Sequence, residues 1–106
     1  MSDFQTVCSV DSLVMNSGVN ALINDQQIAI FYINGDVFAI GNYDPVGKAN
    51  VMSRGMTGSM GETLVVASPL YKEHYSLSTG VCVEDESVSI PVYDAKIENS
   101  MVLVKA

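Results

Sequence analysis

"QQIAIFYINGDVFAI", Gln26 to Ile40, is the stretch on which the fold is read. Two apolar runs flank Asn34-Gly35, a dipeptide suited to a tight hairpin turn because both residues tolerate positive φ. β-branched and aromatic residues fill the runs, as a buried pleated surface favours. The stretch predicts two antiparallel strands, Gln26 to Ile33 and Asp36 to Ile40. Upstream, "GVNALI" (Gly18 to Ile23) reads as another strand, joined through an Asn24-Asp25 turn, so the three form a meander.

Downstream the texture changes. Gly41, Gly47, Gly55, Gly58 and Gly61, with Pro45, Met52, Met56 and Met60, predict a long loop with a turn of helix near Asn50 to Arg54. Loops of this length in a compact domain are uncommon and often functional. "ETLVVAS" (Glu62 to Ser68) reads as a strand. After Pro69 comes a second, "YKEHYSL" (Tyr71 to Leu77), closed by the turn Ser78-Thr79-Gly80. Glu84 to Glu86 reads as a solvated acidic turn. "VSIPVY" (Val88 to Tyr93) follows, with Pro91 marking an edge or a strand end. "AKIE" and "MVLVK" form a last hairpin about Asn99-Ser100. Helix is scarce; only "VDSLVMNSG" has a cap, Asp11. Many short strands at regular spacing predict an all-β small antiparallel barrel or sandwich, one domain over residues 1–106.

With 48% hydrophobic residues the chain can build one core. Its formal net charge of −7 opposes phosphate backbones, so nucleic acid is not an expected partner. No segment approaches the roughly 20 apolar residues of a membrane span, and the start has no signal-peptide pattern. The expected location is cytoplasmic, away from membrane. Cys8 and Cys82 form no metal-type pair and read as buried free thiols; a bridge between them is the less favoured reading.

The residues alone show no catalytic constellation. The single histidine, His74, sits mid-strand, and no G-x-S-x-G elbow occurs. "GKANVMSRGMTGSMG" has glycines and Lys48 but neither Walker spacing nor a following long helix. A zinc site would need His74, Cys82 and Asp44 to converge by accident of folding.

Two segments carry a resemblance. The hairpin "IAIFYINGDVFAI" runs into "NYDP", and later comes "SPLYKEHYSLSTG". Together they are similar to Rieske iron–sulfur domains, where a hairpin leads into a C-x-H loop and a second loop reads C-P-x-H-x-x-x-F-x-x-x-T-G. The resemblance places Asn42 and Asp44 at the first Cys and His, and Ser68 and Tyr71 at the second pair. Pro69, Tyr75, Thr79 and Gly80 keep the family pattern. It implies a Rieske-like barrel or sandwich with a cluster-binding-type subdomain, whose loops 42–61 and 68–80 form the tip. All four ligand positions depart from the family. A Rieske 2Fe–2S centre takes two thiolates and two imidazoles, and hard oxygens suit it poorly. The expectation is therefore no metal and no cofactor in this chain. Asn42 and Asp44 then read as hydrogen-bonding substitutes for the cluster.

The combination of "NYDP", "ANVMSRG" and "LVVASPLYKEHYSLSTG" further resembles the small-subunit family of NAD(P)H-dependent nitrite reductases of nitrate assimilation. This implies a non-catalytic subunit of a cytoplasmic oxidoreductase, supporting a large nitrite reductase subunit. That partner would carry FAD, a 4Fe–4S cluster and sirohaem and reduce nitrite to ammonium. Partner contacts would fall on Tyr43, Asp44, Arg54, Met56, Tyr71, Lys72 and His74. Met56 and Tyr71 read equally well as residues packing the loops together. The alternatives are a Rieske-type ferredoxin-like electron carrier, which the missing ligands oppose, and a generic protein-interaction adaptor.

Overall fold

The computed structural model describes residues 4–13, 18–33, 35–70 and 73–105. Strand β3 (Gln26–Ile33) pairs antiparallel with β4 (Asp36–Gly41), with Ile33 opposite Asp36 and Ile28 opposite Gly41. Gly35 takes φ 85° in the turn; Asn34 lies outside the described residues. Successive side chains of a strand face opposite ways. Ile28 and Ile30 join one apolar cluster with Val37, Ala39, Val102 and Val104. Ala29, Phe31 and Ile33 join a second, with Met52, Val66, Tyr75 and Leu77. The β3–β4 hairpin is thus a wall between two cores. That is why its sequence is apolar almost continuously instead of alternating.

The first core lies within a six-stranded antiparallel sheet. Its order is β1 (Gln5–Ser9), β11 (Met101–Lys105), β10 (Val92–Glu98), β4, β3 and β2 (Gly18–Ile23), and it curls into a nearly closed barrel. Across the seam between its edges, Gln5 Nε2 donates to Asn24 Oδ1 at 3.3 Å. The second core packs the hairpin against a three-stranded sheet of β7 (Met56–Met60), β8 (Thr63–Ala67) and β9 (His74–Ser76). A two-rung ladder of β5 (Tyr43–Asp44) and β6 (Ala49–Asn50) follows directly on β4. The fold is all-β, with no α-helix among the described residues.

Several expectations are corrected. The span 42–61 is not a continuous loop, because Met56–Met60 is a strand paired with β8 from Met56↔Ala67 to Met60↔Thr63. Its Met-Thr-Gly-Ser-Met composition hides this: the strand is mostly exposed, and its order comes from Val65 and Val66 on its neighbour. Of the strand expected over Tyr71 to Leu77, only His74–Ser76 forms among the described residues; Tyr71 and Lys72 lie outside them. At the N-terminal side, a 3-10 turn at Val10–Ser12 is capped by Ser9, whose hydroxyl accepts from Asp11 N at 3.2 Å. Asp11 is inside that turn, not its cap, and residues 14–17 lie outside the described residues. Gln5–Ser9 is a strand the sequence did not announce; it is held by pairing with β11. Both cysteines are free, but only Cys82 is buried; Cys8 is half-buried.

Candidate functional site

Two proline turns of the same design meet where the two loops pack together. In Asp44-Pro45-Val46, the Asp44 Oδ1 accepts the Val46 amide at 2.9 Å. In Ser68-Pro69-Leu70, the Ser68 Oγ accepts the Leu70 amide at 3.2 Å. Proline suits the middle position, since its φ is preset and it has no N–H to satisfy. The turns close on one another. Ser68 donates its hydroxyl proton to Asp44 Oδ2, and Gly47 lies so near Leu70 that a Cβ there would come within 2.5 Å of Leu70 Cδ1.

The remaining positions tie this junction to the core. Tyr75, fully buried, directs its hydroxyl to Asp44 Oδ1 at 3.5 Å. Burial pushes the Tyr75 phenol far above its ordinary range, and the Asp44 charge adds to the shift. Tyr75 therefore stays a protonated donor at any physiological pH. Asn42 is buried one step earlier. Its Nδ2 donates to Gln27 Oε1 at 3.2 Å and its Oδ1 accepts from Ser53 N at 2.7 Å, so it joins β3 to the short 3-10 turn Met52–Arg54.

These residues do not fit an iron–sulfur cluster. Asn42, Asp44 and Ser68 supply an amide, a carboxylate and a hydroxyl where the cluster takes soft thiolates and imidazole. Their polar atoms are engaged with one another, with the Gln27 side chain and with the backbone. The fourth position, Tyr71, lies outside the described residues. Cys82 is no substitute: burial raises its thiol pKa, and its sulfur lies 3.6 Å from Glu84 Oε1. Among the described residues no three His, Cys, Asp or Glu side chains converge as a metal group would need.

Of the residues expected to meet a partner, Tyr43, Arg54 and Met56 are exposed, Met56 at 79%. Asp44 is fully buried, so its side chain serves the junction between the loops and presents no surface. Lys72 lies outside the described residues with Tyr71. His74 is half-buried and bound to Glu84, through its backbone amide at 2.8 Å and its Nδ1 at 2.6 Å. Two exposed residues of the tip escaped sequence reasoning, Val46 and Leu70. The signal was available: each is the apolar residue directly after a loop proline.

The 83–87 turn is held by hydrogen bonds to carboxylates, which acid weakens. The His74 amide holds the Glu84 carboxyl below its ordinary value, and the Ser87 hydroxyl does the same for Asp85. A depressed carboxyl contributes above its unfolded pKa and loses the contribution as pH falls through the folded one. Hydrogen-exchange protection at the His74 and Ser87 amides is expected to fall as pH drops from about 6 to about 3. The Cys82 amide, bonded to the Val88 carbonyl, should keep its protection. Unchanged protection at His74 would contradict the pairing.

Comparison with known proteins identifies the family. Residues 3–105 match the family model of the Rieske-like 2Fe–2S domain. The nitrite reductase (NADH) small subunit of Salmonella typhimurium is 42% identical over 107 residues, covering 99% of both chains. The solved structure of the Escherichia coli protein NirD superposes with a TM-score of 0.91 at 40% identity, covering 100% of this chain and 98% of that one. A 101-residue piece, 11% of a nitrite reductase [NAD(P)H] large subunit of Klebsiella oxytoca, is 34% identical to 95% of this chain. The chain belongs to the Rieske-like domain family and, within it, to the nitrite reductase (NADH) small subunits.

Proposed function

We propose that the chain is the non-catalytic small subunit of a cytoplasmic NAD(P)H-dependent nitrite reductase, which it joins by docking its two-loop tip on the large subunit. Residues 1–106 act as one unit. The chain brings no redox centre; FAD, a 4Fe–4S cluster and sirohaem belong to the partner, where nitrite is reduced to ammonium. The observation that carries this reading is the Asp44–Ser68 hydrogen bond, which closes the two loops at positions where the family binds iron. A loop pair so closed keeps the family's shape and has no electron to pass. The large-subunit relative that contains a domain similar to this chain supports the choice of partner.

Tyr43, Val46 and Leu70 put apolar surface on the tip, and apolar and aromatic residues anchor interfaces. Leu70→Asp is expected to abolish co-purification with a co-expressed large subunit while the variant's melting temperature stays within a few degrees, since the side chain is exposed. Full co-purification by Leu70→Asp and by Val46→Asp would remove the tip from the interface.

A further inference from the structure

Resting on the docking reading above, we infer that the tip is an electrically polarised surface that fixes the orientation of the large subunit: a cationic edge at Arg54 and an anionic edge at residues 84–86. The strand register places these edges. Met56 on β7 pairs with Ala67 on β8, and Ala67 pairs with His74 on β9. Beyond β9, the His74 carbonyl accepts from Val83 N at 2.7 Å and Glu84 binds the His74 ring. The end of the second sheet that carries the Ser68-Pro69-Leu70 turn therefore runs Arg54–Met56, Ala67, His74, Glu84 from edge to edge. At about 4.8 Å per strand, the two edges stand roughly 15 Å apart, with the Ser68-Pro69-Leu70 turn leaving β8 between them.

The charges at the edges are available. Arg54 is exposed and has no ion-pair partner among the described residues. At the other edge Glu84 is paired with His74, while Glu86 is exposed and likewise unpaired. Exposed Met56 stands beside Arg54 at the cationic edge, and exposed Leu70 belongs to the chain that connects β8 to β9 between the two edges. A surface of this kind selects a partner with an apolar depression, a carboxylate facing Arg54 and a cationic cluster facing residues 84–86. Complementary rims of this type act on encounter and register more than on final affinity.

The test is the association rate of the chain with the isolated large subunit, measured at low and high salt. Arg54→Glu and Glu86→Lys are each expected to slow association about fivefold or more at low ionic strength, with the deficit shrinking at high salt. Glu62→Lys makes the same charge change as Glu86→Lys, in the β7–β8 turn at the opposite end of the same sheet, and is expected to leave the rate within about twofold. Normal rates for Arg54→Glu and Glu86→Lys, with binding still lost in Leu70→Asp, would overturn the polarity and keep the docking site. Normal binding in all three would overturn both. If the free chain forms a dimer that these substitutions dissociate, the occupant is a second copy and the inference fails.

Discussion

Replacing Asp44 by alanine is expected to lower the unfolding free energy by about 3 kcal/mol, a large share of the roughly 5–15 kcal/mol available to a domain. The carboxylate is fully buried and accepts from Ser68, from the Val46 amide and from Tyr75. Alanine leaves those donors without an acceptor, at about 1–3 kcal/mol for each that water cannot reach. Relief of the cost of burying a charge offsets part of the loss. Asp44→Asn keeps one acceptor oxygen and is expected to lose about half as much. Urea titrations of Asp44→Ala, Ser68→Ala and the double variant give the decisive comparison. The double variant should lose clearly less than the sum, with a coupling of about 1–2 kcal/mol. Strict additivity would mean that the two loops are not joined through this pair.

Gly80→Ala is expected to cost at least as much, about 3 kcal/mol or more, and to prevent accumulation of folded protein at higher temperature. Gly80 holds φ 78°, and a Cβ there would sit 1.9 Å from the Ile90 carbonyl oxygen. Left-handed backbone alone costs alanine about 1–2 kcal/mol. The contact adds more, since the Gly80 N–H bonds Ser76 O and the Gly80 carbonyl accepts the Ile90 amide, both at 2.8 Å. Relieving the clash breaks that ladder and moves Ile90 out of the second core. Gly35→Ala separates the two effects, because Gly35 also has positive φ, 85°, but nothing within 4 Å of an added Cβ. It should cost only about 1–2 kcal/mol. Equal losses at the two glycines would show that φ alone explains Gly80 and that the Ile90 contact is unimportant.

Much of the barrel is legible because its information is local. Asn24 and Asp25 take φ 51° and 63°, Gly35 85°, and Asn99 and Ser100 53° and 64°, so the hairpins are set by their turn residues. The apolar face of β3 and the proline before β10 are equally local signals. β7 was hidden because its residues say little about pairing; the ladder to β8 orders it. At the tip, the ligand positions Asn42, Asp44 and Ser68 are found by matching a family pattern, but their use is not. That Asn42 reaches back to Gln27 while Asp44 reaches across to Ser68 depends on the packing of the two loops. Val46 and Leu70 are not announced by composition, because apolar residues ordinarily read as core; their exposure follows from the prolines, which turn the chain so that the next side chain faces outward. The Glu84–His74 pair joins an acidic turn to a strand, and nothing in either segment announces the other.

The most direct test of a tip closed by hydrogen bonds, with no metal centre, is the iron and acid-labile sulfide content of the chain purified anaerobically. The expected result is neither element above background and no visible absorbance. Stoichiometric iron and sulfide would contradict the account, because a 2Fe–2S centre and the Asp44–Ser68 hydrogen bond cannot occupy the same positions.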